Sequence, residues 1–295
     1  MLKLCAYSLA ALLLTNACQT PRPESDEPAE TTPTVSTSEI VDSLLYYRHH
    51  HRTTDILSRN YPNLLRAQAI ELQLAMLEKE LESGAKLVGW KMGGTITDDS
   101  SAYDPMFGYI LDRNLIAEDS AVLAENFPGG QVMVEGEVGV VLKQDFPEGA
   151  NSLEALIEGI DYVVSAVEFA QATAVAQPND TSPLPIDYVF ASGMGQAGTM
   201  IGSGKMTVDQ FDAQAETVAC YVNEEKVAEG SAARVYQSPL HAVYSLANML
   251  PEYDQYLRKG DVVITGSLYD NPTIDSTSQV RLEYAHLGTI TFSMK

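Results

Sequence analysis

The chain has 295 residues, 45% of them hydrophobic and 20% charged, which is enough for a sizeable core in one large domain or two modest ones. Its formal net charge is −22 and its pI is near 4.4. This acidity argues against nucleic acid as a partner and against attachment to anionic lipid through basic residues, because both need Lys and Arg. The body of the protein holds one cysteine, Cys220, so it can form neither an internal disulfide nor a cysteine-based zinc site.

Residues 1–18 have the layout of an export signal. Lys3 precedes an apolar run that ends at Leu14 and is too short to cross a bilayer, and small or polar residues then lead to Cys18. Cys18 resembles the lipid-modified cysteine of bacterial lipoproteins, although Thr15 stands where such signals usually have leucine, and a plain cleaved signal is the alternative. We expect an exported protein on the periplasmic side of a bacterial envelope, with its only membrane contact a lipid anchor on Cys18.

A disordered linker and a helical segment are predicted next. Residues 19–38 are rich in Pro, Glu, Thr and Ser and have almost no apolar side chains to bury, so we expect them to be a tether. Residues 39–90 begin with apolar side chains at helical spacing, which predicts helices between a start at Ser38 and an end at Gly84. The consecutive histidines His49–His51 would point in different directions on a helix, which favours a solvated helix end over a metal site.

After Gly84 the pattern changes to short β-branched or alternating runs bounded by Gly, Asn, Asp and Pro, which predict strands. Two helices, 152–160 and 238–250, interrupt them, and the second has a Ser N-cap followed by Pro. The order is not a regular β-α alternation, which argues against a doubly wound parallel sheet. We therefore expect an α+β fold, in which a mixed β core over residues 91–295 follows the helical segment. The predicted strands are 86–94, 107–112, 131–142, 162–170, 215–223, 260–268 and 279–285.

Three glutamates are the candidate metal ligands. Glu135 and Glu137 lie two apart in a Val-rich strand and therefore share one face of it, and Glu168 is a lone acid in a second apolar strand. Buried carboxylates that lie side by side must either take up a proton or bind a cation, and oxygen ligands without thiolate suit Mg²⁺, Mn²⁺ or Ca²⁺. On the residues alone, a metal site and a solvent-facing edge strand remain alternatives.

Lys91 is the candidate acid–base residue. It follows an apolar run and precedes Gly93 and Gly94. Burial would lower the pKa of this lysine and nearby glutamates would raise it, which is the balance that a base or proton shuttle needs. A structural ion pair is the alternative interpretation.

Together these motifs resemble the fumarylacetoacetate hydrolase superfamily, and within it the 2-keto-4-pentenoate hydratases and 4-oxalocrotonate decarboxylases. The resemblance covers about residue 40 to the C-terminus and is carried by GWKMGG, MFGYILD, VEGEVGVVL, SAVEFA, QSPLHAVYSLANML and LRKGDVVITGSL, in that order. It implies a mixed β-roll fold and a divalent metal, Mg²⁺ or Mn²⁺. It also implies that Glu135, Glu137 and Glu168 are the metal ligands and that Lys91 is the active-site lysine.

The resemblance further implies a small-molecule substrate, a 2-oxo or 2-hydroxydienoate acid. Such an acid would chelate the metal through its carboxylate and keto oxygen, which would stabilise an enolate as protons move. The expected function is therefore that of a metal-dependent lyase, either a hydratase or a decarboxylase. A C–C hydrolase of an acylpyruvate and a non-catalytic, metal-bearing envelope lipoprotein are the alternatives. Relatives of this kind assemble as multimers, so we expect a homo-oligomer.

The chain departs from the pattern of this superfamily in two motifs. Where relatives usually have Pro-Asp-Phe-Gly, residues 105–108 are Pro-Met-Phe-Gly, so Asp104, which is near but out of register, becomes the candidate catalytic acid. Where relatives have Asp-Asn-Ala-Ser-Ser-Gly, residues 188–193 are Tyr-Val-Phe-Ala-Ser-Gly, and the bulky Phe190 predicts a more apolar pocket. By their positions in the motifs that resemble this superfamily, four residues are expected at the substrate site: Phe107, Ser192, Gly266 and Ser267.

Overall fold

The computed structural model describes residues 35–96 and 104–295. The predicted signal, the lipidation site at Cys18 and most of the predicted linker lie outside these residues. Within the described part of the chain, no helix combines the length and the apolar composition that crossing a membrane would require.

Three helices make up the N-terminal segment: α1 (Thr37–His49), α2 (Ile56–Asn60) and α3 (Arg66–Glu82). The N-cap of α1 is Ser36, two residues before the predicted start at Ser38. The Oγ of Ser36 accepts a hydrogen bond from the Glu39 N–H, and the Glu39 carboxylate accepts one from the Ser36 N–H, so a capping box fixes the start of the helix. The predicted end is confirmed, since α3 stops just before Gly84, which has φ +97°.

Among the described residues after Gly84, thirteen strands and three further α-helices follow. The helices are α4 (Leu153–Glu158), α5 (Ile186–Ala191) and α6 (Pro239–Met249). The strands are β1 (Leu87–Gly93), β2 (Met106–Leu111), β3 (Leu115–Ile116), β4 (Ala121–Val122), β5 (Gln131–Leu142), β6 (Ile160–Ala170), β7 (Gln196–Met206), β8 (Thr217–Val222), β9 (Glu225–Ser231), β10 (Val262–Ile264), β11 (Thr273–Asp275), β12 (Gln279–Tyr284) and β13 (Thr289–Met294).

The strands form two mixed sheets. The larger sheet has the order β2-β1-β10-β5-β6-β7-β3, with β11 also paired to β5, and the smaller has the order β4-β13-β12-β8-β9. Most neighbours are antiparallel, whereas the pairs β1–β10, β3–β7 and β4–β13 are parallel. One hydrophobic core joins the sheets to the N-terminal helices, from Ile40 in α1 to Met294 in β13.

The predicted α+β class, with a mixed β-roll and an N-terminal helical segment, is confirmed. Each predicted strand forms, but the one predicted over 260–268 is short, Val262–Ile264. The chain leaves the sheet there because Gly266 takes a φ of +104°, a conformation that favours glycine. This early exit brings the loop that follows β10 over the centre of β5.

Candidate active site

The pairing of β5 with β6 brings the three glutamates together. In this antiparallel pair Glu135 lies directly opposite Glu168, and Glu137 lies two residues further along the same face of β5. One carboxylate oxygen from each of the three lies within 4.8 Å of the others. Glu137 and Glu168 are fully buried and Glu135 is half-buried, so the solvent-facing edge-strand alternative does not apply.

Gly136 between the two β5 glutamates is required by close packing on the other face of the strand. A Cβ at this position would lie 2.6 Å from the ring of Tyr269 and 2.9 Å from Leu282. The Glu-Gly-Glu sequence thus places two carboxylates on one face of β5 while the smaller sheet packs closely against the opposite face.

Each carboxylate is held by one partner. The Gly266 N–H donates to Glu137 Oε2 at 2.7 Å, Asn271 Nδ2 donates to Glu135 Oε1 at 2.9 Å, and Lys91 Nζ donates to Glu168 Oε1 at 2.7 Å. The second oxygens of Glu137 and Glu168 are buried and form no hydrogen bond within the described part of the chain. Unpartnered buried carboxylate oxygens are costly unless a cation occupies the space between them. Three convergent oxygen donors of this kind fit Mg²⁺ or Mn²⁺.

The electrostatics of the cluster also favour a bound cation. Burial raises the pKa of Glu137 well above its usual range, and the charges of Glu168 and Glu135 raise it further. Burial and the neighbouring Glu135 raise the pKa of Glu168 to about 7 against the opposing effect of Lys91. Burial likewise raises the pKa of Glu135. The protein alone therefore does not balance three ionised carboxylates, and a divalent cation would.

Lys91 faces the cluster from β1. Burial opposes the charge of its ammonium group, but the attraction of the three glutamates outweighs this and raises the pKa of Lys91. Nζ uses two of its three N–H donors, one on Glu168 and one on the Met194 carbonyl at 3.1 Å. The structural ion pair that the sequence offered as one alternative is present, and a role of Lys91 in proton transfer stays a prediction.

A cavity of about 350 Å³ opens onto Lys91 and Glu135. Of the four predicted substrate-binding residues, Gly266 and Ser267 line it. The sequence did not assign most of its other lining residues, several of which come from α5 and from loops without a motif. Among the lining residues are Ile96, Met133, Ile186, Val189, Met194 and Asn271.

The other predicted site residues lie away from the lining of this cavity. Phe107 is fully buried in an aromatic cluster with Trp90 and Phe190, and Ser192 is buried with its Oγ on the Val189 carbonyl. Phe190 therefore does not supply the expected apolar pocket surface, which comes from Val189 beside it.

The predicted catalytic acid Asp104 also lies outside the lining. Its side chain is 68% exposed and ion-pairs Arg66 at 3.1 Å. A catalytic role for Asp104 therefore stays a prediction from the sequence.

A second cavity, of about 500 Å³, is lined by basic side chains, among them Arg48, Arg52 and Arg113. Glu80 in its wall is buried, ion-pairs Arg113 and is hydrogen-bonded to His49 Nε2 at 2.9 Å. Among the residues that the structure describes, the one group of three potential metal-ligand side chains is the glutamate cluster, so this second cavity holds none.

Comparison with known proteins identifies the family of the chain. The family model described as the C-terminal domain of fumarylacetoacetate hydrolase matches residues 84–294, so the chain belongs to this family. Two curated relatives are more specific. The chain is 23% identical over 237 residues to 4-oxalocrotonate decarboxylase from Pseudomonas putida, an alignment that covers 79% of this chain and 87% of the relative. It is 26% identical over 221 residues to 2-hydroxyhexa-2,4-dienoate hydratase from Comamonas testosteroni, covering 74% and 81% respectively.

Among solved structures, the chain is similar to 4-oxalocrotonate decarboxylase from Pseudomonas putida G7, complexed with magnesium and adipate. The TM-score is 0.78 at 21% identity, and the match covers 89% of this chain and all of the other. At this level of identity the likeness supports the fold.

Proposed function

We propose that the protein is a metal-dependent lyase, a hydratase or decarboxylase, that acts on a 2-oxo or 2-hydroxydienoate acid. The observation that carries the proposal is the buried cluster of Glu135, Glu137 and Glu168 beside Lys91, at the inner end of a ligand-sized cavity. The names of the curated relatives, a decarboxylase and a hydratase that act on unsaturated 2-oxo acids or their enols, support the reaction class. The magnesium in the related decarboxylase structure supports Mg²⁺ or Mn²⁺ as the cofactor.

Glu135, Glu137 and Glu168 would hold the cation. When bound, a divalent cation supplies positive charge next to the carboxylate and keto oxygens of the acid, which favours loss or transfer of a proton at the neighbouring carbon. The hydrogen bonds from Gly266 and Asn271 fix the orientation of two of the carboxylates, so little reorganisation is needed when the acid binds.

Lys91 would hold and move a proton at Nζ. The raised pKa keeps this group an ammonium at neutral pH, and its third N–H is available to a ligand in the cavity. An ammonium in this position can donate a proton to a substrate atom that becomes basic during the reaction. Glu168, at 2.7 Å, stabilises the charged form and fixes the direction of Nζ.

Turnover of three compound types tests this proposal. The protein is incubated with Mg²⁺ or Mn²⁺ and a 2-hydroxydienoate, an oxalocrotonate or an acylpyruvate, and the loss of ultraviolet absorbance is followed. Turnover of either of the first two that Glu135→Gln abolishes supports the lyase, with Glu225→Gln, on the exposed start of β9, as the unaffected control. Turnover of the acylpyruvate alone would assign a C–C hydrolase instead. Tight metal binding without turnover of any compound would favour the non-catalytic envelope protein.

We also propose that the protein is exported and lipid-anchored. The signal-like residues 1–18 and the polar tether that follows support this, and the acidic surface argues against an electrostatic attachment. Cys18→Ser should release the protein from membrane fractions, and unchanged fractionation would contradict the anchor.

The proposed assembly is a homo-oligomer. Light scattering measures the mass of the protein in solution. A monomer at micromolar concentration would contradict the proposed assembly.

A further inference from the structure

We infer that the cavity selects acids that carry a single carboxylate next to the 2-oxo group and an apolar chain beyond it, and that it disfavours acids with a second carboxylate at the far end. The inference rests on the proposed function, because it specifies the substrate class of the same site.

Much of the cavity lining is apolar, and part of this apolar surface is exposed at the rim. Ile96, Met133 and Ile186 line the cavity and are 38%, 40% and 46% exposed, which is unusual for side chains of this size. Val189 and Met194 extend the same surface inward to Lys91. Met133 lies on the same face of β5 as Glu135, so a chain that leaves the metal centre along this face meets the methionine first. A hydrocarbon tail would cover these side chains and remove their apolar surface from water.

The cavity offers no free cation to a distal carboxylate. Lys91 is the one Lys or Arg among the described lining residues, and its charge is already paired with Glu168.

Three arginines of the described surrounding elements are already paired or face elsewhere. Arg234, next to Val235, which bridges to Ile96, ion-pairs Asp270 at 2.6 Å. Arg66 in α3 ion-pairs both Asp104 and Asp187, the residue after Ile186 at the rim. Arg48 in α1 donates to the Gln196 carbonyl at 2.9 Å and lines the second, basic cavity. A distal carboxylate would therefore have to break an existing ion pair or stay unpaired against apolar side chains, and both are costly.

The charge of the metal centre points the same way. With a divalent cation bound, the three ionised carboxylates would be balanced by this cation and the Lys91 ammonium. The carboxylate that the acid brings to the cation adds one negative charge, and a second carboxylate would add another with nothing to compensate it.

Two unreactive acids of equal chain length separate these properties. The probes are 2-oxohexanoate, which ends in a methyl group, and 2-oxoadipate, which ends in a carboxylate. Their affinities for the full-length protein loaded with Mg²⁺ are measured by calorimetry at pH 7.5, with pyruvate as the tail-free reference. We expect 2-oxohexanoate to bind at least about tenfold more tightly than 2-oxoadipate and more tightly than pyruvate.

Ile186→Arg tests the apolar rim directly. Because Ile186 is largely exposed, the substitution places a guanidinium at the mouth without disturbing the core. We expect it to shift the ratio of the two affinities toward 2-oxoadipate by roughly threefold or more. Leu81→Arg is the matched control: Leu81 is a 41% exposed apolar side chain of α3 that does not line the cavity, so the ratio should stay at the wild-type value.

The outcomes distinguish this inference from the function on which it rests. Equal affinities, or tighter binding of 2-oxoadipate by the wild-type protein, would overturn the monocarboxylate preference and leave a 2-oxo acid site in place. Failure of all three acids to bind the Mg²⁺-loaded protein would overturn the proposed function and the inference together. An unchanged ratio of the two affinities in Ile186→Arg would show that the rim does not contact the far end of the acid. This result would also overturn the monocarboxylate preference.

Discussion

Replacing Glu137 by glutamine should stabilise the metal-free protein and reduce the stabilisation that metal gives. Glu137 is fully buried beside Glu135 and Glu168, and burial and the two neighbouring charges raise its pKa. Glutamine has the same shape and keeps an oxygen that can accept the hydrogen bond from the Gly266 N–H. In metal-free protein at pH 8 the substitution removes the cost of keeping this buried carboxyl group either charged or protonated, which should stabilise the fold by about 1–3 kcal/mol. The melting temperature should then rise by roughly 2–10 °C.

With metal this advantage should shrink or reverse, because the wild-type protein gains more stability from the cation than the variant does. A cation at about 100 times its dissociation constant stabilises the wild-type protein by about 2.7 kcal/mol. If loss of one ligand weakens binding about 100-fold, the same concentration stabilises Glu137→Gln by only about 0.4 kcal/mol. The assay is thermal unfolding of chelator-treated protein, followed by titration with MgCl₂ or MnCl₂.

Glu80→Gln is the matched control for a buried glutamate outside the cluster. Glu80 is paired with Arg113 and His49, so its replacement should destabilise the protein by about 1–3 kcal/mol both with and without metal. The stabilisation that added metal gives should equal that of the wild type. The reasoning is refuted if metal-free Glu137→Gln is less stable than the wild type, or if added metal stabilises it as much as it stabilises the wild type.

Three further predictions follow from named contacts. Lys91→Gln should lower kcat by about 100-fold or more while Mg²⁺ binding, followed by calorimetry, is not weakened, because it removes the proton donor and no metal ligand; a loss of less than about threefold would contradict the assigned role. Gly136→Ala should destabilise the protein by about 1–3 kcal/mol in urea unfolding, because its Cβ would lie 2.6 Å from the ring of Tyr269. Gly139→Ala in the same strand, where the nearest atom is 3.5 Å away, should cost much less, and equal costs would refute the packing argument. Burial raises the pKa of Asp261 from 3.8 to about 6, so the folded state binds this proton more tightly and the associated stability is lost as the pH rises between these values. Asp261→Asn should remove this slope, worth at most roughly 3 kcal/mol, from urea unfolding measured between pH 4 and 7; an unchanged slope would assign the pH dependence to other groups.

The local sequence pattern was sufficient to predict the helices and strands that have a clear apolar periodicity. Apolar spacing gave the helices of the N-terminal segment, and Val-rich runs gave β5 and β6 close to their observed bounds. The first helix starts two residues before the predicted position because the capping box of Ser36 and Glu39 fixes its beginning. Strand β7, with the sequence QAGTMIGSGKM, was missed because its glycines break the alternation, although the long pairing with β6 holds it in the sheet.

The sequence by itself was sufficient to predict that the three glutamates, Gly266 and Lys91 belong to one site. A two-residue spacing fixes which side chains share a strand face, and the order of the motifs matched a known superfamily. It could not determine that Glu168 lies opposite Glu135, since strand register depends on how two distant segments pair. Nor could it place Asp104 on Arg66, Phe107 in an aromatic core, or Asn271 on Glu135. Those contacts are made between loops and strands far apart in the chain, and only packing in three dimensions decides which polar group meets which partner and which apolar surface is left to line a cavity.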